Sequence, residues 1–299
     1  MADIQPGNLV VRTTGLTKRY GSTIALDNVD LGVPRGAVYG LVGPNGAGKT
    51  TLLALLAGLR WPTSGSLSVA SSSVGVLPDT PRFDPWLTGR EVVDLAQTLT
   101  APDGALQRVA DLLERAGLDE AADRQVRGYS RGMLQRLGLA AAVAGDPDVL
   151  LLDEPAAALD PAGRREVLDL VRTLRGRATV VFSSHILDDV QEVCDTIGIL
   201  RRGELVYQGP LDTLLEGRTG CRYVVVLRSG HSQVARRLRG ESWAERVIEQ
   251  SGGAIAVDVS DRTAAEANLV SLLAAVGHAV VSISPEETSL EDIFLELTR

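Results

Sequence analysis

The most explicit chemistry in the chain lies in nine consecutive residues: Gly43, Pro44, Asn45, Gly46, Ala47, Gly48, Lys49, Thr50 and Thr51. An apolar run, Val38 to Val42, precedes them. Leu52, Leu53, Leu55, Leu56 and Leu59 follow at helical spacing, so the segment reads as strand, loop, helix. Glycines let backbone N–H groups encircle phosphate oxygens, and the start of the helix adds positive potential. Lys49 is placed to neutralise β and γ phosphates, and the Thr50 hydroxyl to reach magnesium. The alternative, a glycine turn arising by chance, does not account for the strand before it and the helix after it.

A second constellation is Val149-Leu-Leu-Leu-Asp153-Glu154-Pro155. Two carboxylates at the end of a buried strand are costly unless they meet a cation or a proton. Asp153 fits a magnesium ligand, direct or through water. Glu154 fits a general base that polarises an attacking water. Between the two constellations, Tyr129-Ser-Arg-Gly-Met133 precedes an amphipathic stretch. Ser130 suits a helix N-cap there and Gly132 exposes its N–H. That pattern is weak by itself and draws its weight from its position just before the acidic strand.

Taken in order, these residues resemble the ATP-binding cassette (ABC) family over most of residues 9–212. The resemblance implies ATP and magnesium as ligands and ATP hydrolysis as the reaction. It implies that Tyr20, upstream of Ala25-Leu26-Asp27-Asn28-Val29, stacks on adenine. It implies that Ser130 and Gly132 close over the γ-phosphate held by a second subunit, and that the Ala158-Leu159-Asp160 loop crosses the dimer seam. His185, after the strand Thr179 to Ser183, corresponds to the family's switch histidine on the γ-phosphate. Tyr129 to Ala140 and the C-terminal Ser289-Leu-Glu-Asp-Ile-Phe-Leu-Glu-Leu-Thr are similar to the multidrug, antibiotic or lipid exporter branch (ABC-2 type). That branch implies a separate multispanning membrane permease as partner and a homodimer or mixed pair of ATPase domains. It also implies a cytoplasmic location, peripheral on the membrane through the permease.

Two departures from the family pattern stand out. Asp79, after Val76-Leu77-Pro78, stands where the family has Gln or Glu. Its shorter side chain is expected to sense magnesium through a bridging water. The stretch between Gly65 and Val74 is shorter than the family pattern, so a β-hairpin there is expected to be trimmed. Pro81, Phe83, Pro85 and Trp86 form an expected apolar docking surface for the membrane partner.

The elements that must position these groups follow from the apolar runs. Strands separated by helices predict a mainly parallel sheet covered on both faces, a P-loop α/β fold with an antiparallel β edge. Pro161 opens a helix with Val167, Leu168, Leu170, Val171 and Leu174 on one face. Ala178 to Phe182 is a buried strand, and Leu187 to Cys194 a short helix. Ile197 to Leu200 and Leu205 to Tyr207 form a hairpin around Arg201, Arg202 and Gly203. The nucleotide-binding domain is placed at 1–217, with a helical subdomain near 80–145. A small α+β domain is placed at 218–299, from strands at Tyr223 to Leu227, Ala254 to Val259 and Ala279 to Ile283, and helices at Ala264 to Ala275 and Leu290 to Leu297.

Composition bounds the alternatives. A formal net charge of −8 argues against a sequence-tolerant nucleic-acid binder, and no nucleic acid is expected as partner. Cys194 and Cys221 lack metal-ligand spacing and read as two free thiols. The first residues carry no basic patch followed by an apolar stretch, so no signal peptide is expected. The most apolar segments, Leu52 to Leu59 and Leu137 to Ala144, fall short of the roughly 18 residues of a membrane span. A soluble cassette ATPase acting on DNA or ribosomes would carry two motif sets in tandem or a long heptad insertion, and neither is present. A P-loop kinase would lack the Ser130 segment and Glu154.

Overall fold

The computed structural model describes residues 8–71, 73–100, 107–157, 159–216, 221–250, 252–286 and 290–298. The chain divides into two compact units, Met1–Leu211 and Asp212–Arg299. The expected boundary after residue 217 falls outside the described residues.

The first unit holds two sheets. Strands β1 (Leu9–Tyr20), β2 (Thr23–Val29) and β3 (Gly32–Pro34) pair antiparallel in the order β2-β1-β3. The larger sheet begins with β4 (Val38–Val42), which leads through the glycine-rich loop into α1 (Lys49–Leu56). β5 (Ser64–Val69) returns to pair with β1, and β6 (Val74–Leu77) enters the large sheet after a short turn. Three helices follow: α2 (Gly89–Thr100), α3 (Gln107–Arg115) and α4 (Arg131–Val143). Then come β7 (Val149–Asp153), α5 (Pro161–Leu174), β8 (Thr179–Ser184), α6 (Leu187–Val193), β9 (Thr196–Arg201) and β10 (Glu204–Pro210). The large sheet runs β10-β9-β4-β8-β7-β6, parallel throughout except for β10, which closes the edge antiparallel to β9. Every residue of β4, β7 and β8 is buried, as both-face burial of a parallel strand requires.

One core forms between the two sheets. Val11, Leu16, Leu26 and Val33 of the antiparallel sheet meet Leu52, Leu53, Leu55 and Leu56 of α1, with Leu151 and Val181 of the parallel sheet behind them. A second core holds the helical portion together, from Val92 and Val93 of α2, Val109 and Leu113 of α3, and Leu137 and Ala140 of α4. Pro81 is buried against α4, and Phe83 packs on this second core. The expected docking surface is therefore reduced: of its four residues, Pro85 and Trp86 face solvent.

After α7 (Leu211–Glu216), the second unit runs β11 (Cys221–Leu227), α8 (His231–Leu238), β12 (Ala244–Glu249), β13 (Ala254–Val259), α9 (Arg262–Val276), β14 (Val280–Glu286) and α10 (Leu290–Thr298). Its sheet is fully antiparallel in the order β12-β13-β11-β14. The βαββαβ order with the first and third strands central is a ferredoxin-like arrangement. Val225, Leu227, Ile255 and Val257 pack against Val234 and Leu238 of α8 and Leu269 and Leu273 of α9. The sequence reading missed α8 and β12: α8 has only Val234, Ala235 and Leu238 as apolar anchors, and β12 interleaves Glu245, Arg246 and Glu249 with its apolar positions. Ser289 of the C-terminal motif and the side chain of Cys221 lie outside the described residues. Among the described residues, no helix is long and apolar enough to cross a membrane.

Candidate nucleotide site

Register decides which side chains can meet. In the large sheet Val42 pairs with Ser184, Asp153 with Ser183, and Leu77 with Leu152. The ends of β4, β8, β7 and β6 thus lie level along one edge of the sheet. The glycine loop follows β4, His185 follows β8, Glu154 follows β7 and Asp79 follows β6. The carboxyl edge of an open parallel sheet is where such folds bind ligands.

The loop is held from outside itself. Gly48, the N-cap of α1, has φ 111°, and a Cβ there would stand 2.5 Å from the Ala25 carbonyl oxygen of β2. A Cβ on Gly43 would meet the Leu200 carbonyl. The Gly203 N–H donates to the Ala47 carbonyl (2.9 Å), and the Asp27 N–H donates to that of Gly203 (2.9 Å). The turn between β9 and β10 and the strand β2 therefore clamp the loop on two sides.

Lys49 is buried. Its ammonium donates to the Gly43 carbonyl (2.7 Å) and lies 3.4 Å from Glu154 Oε1. The other Glu154 oxygen is 2.7 Å from His185 Nδ1. Glu154 has φ 47°, a left-handed conformation that costs a non-glycine residue about 1–3 kcal/mol and persists only where its surroundings hold it. The holding contacts are visible. The Glu154 N–H donates to Ser183 Oγ (2.9 Å), and the Gln135 side chain donates to the Glu154 carbonyl (3.4 Å). Ser183 Oγ in turn donates to Asp153 Oδ1 (2.6 Å), so one buried hydroxyl links the Asp153 carboxylate to the Glu154 backbone. The structure brings Lys49, Asp153, Glu154 and His185 into one cluster.

Five other expected residues lie elsewhere. Ser130 caps α4, accepting from the Met133 N–H (3.2 Å), and Asp160 caps α5, accepting from the Gly163 N–H (2.8 Å). Ser130, Gly132 and Asp160 line one groove of about 320 Å³ between the starts of α4 and α5, and no glycine-loop residue borders it. Ala158 lies outside the described residues. Tyr20 ends β1, 41% exposed, with Lys18 Nζ 5.0 Å and Arg60 Cζ 5.7 Å from its ring centroid. Asp79 is exposed and accepts from the Thr80 hydroxyl (3.3 Å). It follows β6, which lies one strand spacing, about 5 Å, from β7, the strand that ends at Asp153; three strand spacings, about 14 Å, separate β6 from β4, which leads into the glycine loop.

Residues 26–157 match the ABC transporter family model. The daunorubicin resistance ATP-binding protein of Streptomyces coeruleorubidus is 34% identical, over 96% of this chain and 95% of that protein. The Nod factor export ATP-binding protein I of Ralstonia nicotianae is 33% identical, over 97% and 94%. The chain belongs to the ABC transporter ATP-binding family. It is an ABC ATPase, and its α/β cassette superimposes on a solved one with a TM-score of 0.63. That structure is a dimeric ATP-binding cassette in a post-hydrolysis state with ADP and phosphate bound, 26% identical, covering 67% of this chain and 98% of that one.

Sequence reasoning overlooked several residues that support the site of this ABC ATPase. Ser183, Gln135 and Gly203 act through hydrogen bonds between segments distant in sequence, and no local pattern announces them. Lys18 and Arg60 flank Tyr20 from β1 and from the turn after α1. A basic residue two positions before the aromatic one was a usable signal for Lys18. Tyr129, quoted with the Ser130 motif, is buried and donates its hydroxyl proton to the Ala121 carbonyl (2.7 Å), which anchors the entry to α4. Burial pushes its phenol pKa up.

Proposed function

We propose that this ABC ATPase powers export through a separate multispanning permease, by ATP-dependent closure and reopening of a pair of nucleotide-binding units. The observation that carries the reading is the cluster of Lys49, Glu154 and His185 at the sheet edge, with Ser130 and Gly132 in a groove the glycine loop does not border. A groove that completes a phosphate site only on another copy calls for a two-fold pair, each subunit offering its Ser130 edge to the other's loop. ATP would then act as an interfacial ligand with higher affinity for the closed pair.

In this reading the glycine-loop amides and Lys49 bind the β and γ phosphates, and Tyr20 stacks on adenine between its two cations. Glu154 accepts the proton of the attacking water, and His185 orients that carboxylate and contacts the γ-phosphate. The oxygen donors Thr50 and Asp153 suit magnesium, which takes few protein ligands and completes its shell with phosphates and water. Among the described residues no cluster of three or more His, Cys, Asp or Glu competes as a metal site. Magnesium would supply charge neutralisation of the phosphates. Asp79 would reach it through water.

Membrane docking falls to the exposed apolar side chains of the helical portion: Trp86, 65% exposed with Arg127 4.9 Å from its ring centroid, and Leu95 and Leu99 on α2. The cassette would sit on the cytoplasmic face through this contact. Export is supported by the names of the relatives above. The test is co-purification of the tagged chain with a multispanning protein from detergent-solubilised membranes, in the parent and in Trp86→Asp. Loss of the membrane protein in the variant, with ATP hydrolysis by the isolated chain retained, is the expected result. Recovery of ribosomes or DNA in its place would overturn the reading.

A further inference from the structure

A cavity of about 520 Å³ lies at the opposite end of the large sheet from the nucleotide cluster, wedged between α3, α4 and α5. Its size falls in the roughly 300–1,000 Å³ range of small-molecule sites. Leu112 of α3, Leu139 and Val143 of α4, Leu170 and Leu174 of α5 and Leu150 of β7 form its apolar wall. Three arginines stand around it: Arg115, Arg136 and Arg177. Its three acids are Asp146, Asp148 and Glu166: the first two lie at the sheet end, where Asp148 accepts from the Ser71 hydroxyl (3.1 Å), and Glu166 lies 3.8 Å from Arg136. Among the described residues, neither the Arg115 nor the Arg177 side chain has an ion-pair or hydrogen-bond partner. A chamber with an apolar helix-facing wall and two uncommitted guanidinium groups on its polar rim is complementary to a molecule with an apolar body and one anionic head.

Arg136 and Glu166 also line the groove that holds Ser130, Gly132 and Asp160. The pair is a partition between cavity and groove, and Arg136 also donates to the Gly117 carbonyl (3.4 Å). The same helices, α4 and α5, carry Ser130 and Asp160 at their starts and the cavity walls along their later turns. An anion drawing Arg136 away from Glu166 would therefore change the groove wall.

We propose that this cavity is a second ligand site, for an amphipathic carboxylate, whose occupation alters hydrolysis through the Arg136–Glu166 pair. The coupling rests on the hydrolytic function proposed above; the binding does not.

The probe is decanoate, titrated below its micelle concentration into the full chain by calorimetry, with decyltrimethylammonium as the oppositely charged control. Expected is saturable 1:1 binding of decanoate only. The surface double variant Arg115→Gln/Arg177→Gln should weaken it roughly tenfold, as loss of charge-assisted hydrogen bonds does. Leu170→Trp, which fills the chamber from the half-buried side of α5, should abolish it. Turnover at saturating ATP should change at least about twofold with decanoate in the parent and not in Leu170→Trp. No saturable binding, equal binding of the cationic amphiphile, or an affinity untouched by the double variant would overturn the site. Binding without any change in turnover, in protein that hydrolyses ATP, would overturn the coupling. Calorimetry reads the site even if the chain hydrolyses nothing, so the two readings fail separately. Should Leu170→Trp fold poorly, the exposed arginine pair still decides.

Discussion

The Glu154 carboxylate lies 3.4 Å from the Lys49 ammonium, which joins the end of the acidic strand to the first residue of α1 across two strand spacings of the sheet. Its second oxygen is 2.7 Å from His185. Glu154→Gln keeps the shape and removes the proton acceptor. Turnover should fall by about 10²–10⁴-fold, the usual contribution of a general base. ATP binding should persist, and ATP-dependent dimers should accumulate on gel filtration. Steady-state hydrolysis equal to the parent would remove Glu154 from the catalytic role.

Lys49→Ala should act on binding. A hydrogen bond to a charged group contributes roughly 1.5–3 kcal/mol, so ATP affinity should drop by about ten- to a hundred-fold. The substitution also leaves Glu154, whose side chain is only 13% exposed, with His185 Nδ1 as the described partner of its carboxylate. Parental affinity in a fluorescent-nucleotide titration would contradict the phosphate-binding role.

Ser130→Arg should leave ATP binding by the monomer nearly intact and abolish hydrolysis, since a bulky cation would obstruct closure over the other subunit's γ-phosphate. It also removes the cap that accepts from Met133, at a stability cost of about 1 kcal/mol. Mixed with Lys49→Ala, it should give pairs with at most one competent site. Loss of nucleotide binding by the Ser130→Arg monomer would show that Ser130 serves its own subunit's site.

Ser183→Ala tests a positioning residue. The change strips the Glu154 N–H of its acceptor and Asp153 of its donor, in a buried place, at a cost of about 1–3 kcal/mol. Melting should come several degrees lower, at about 2–4 °C per kcal/mol for a chain of this size. Well below that melting temperature, kcat should still be reduced with KM for ATP little changed, because the left-handed backbone of Glu154 loses a restraint. A lower melting point with parental kcat would make Ser183 purely structural.

Asp79 carries the last prediction. It is exposed, and of the described hydrogen bonds it accepts only one from Thr80, so the turn after Pro78 does not depend on its carboxylate accepting a backbone N–H. Asp79→Asn should raise the magnesium concentration for half-maximal hydrolysis, because a neutral amide lacks the attraction of an anion for the cation. Asp79→Glu should preserve it. Superimposable magnesium titrations of parent and Asp79→Asn would rule out metal sensing at this position.

The glycine loop, the acidic strand end and the buried strands were legible because each is a local pattern with a local cause. A glycine run between an apolar strand and a leucine-rich helix has few other uses. Uninterrupted runs such as Val149 to Leu152 announce burial on both faces. The hairpin around Gly203 could be read from its turn residues, though not what it touches. What the tertiary structure decided was proximity. Parallel register brings His185, Glu154 and the glycine loop to one sheet edge, and no spacing within the chain encodes that register. The inward turn of Pro81 and Phe83 depends on an apolar cluster assembled from three helices. The small α8 and the charged β12 form because their few apolar side chains find a sheet to cover, a gain that exists only after the chain has folded.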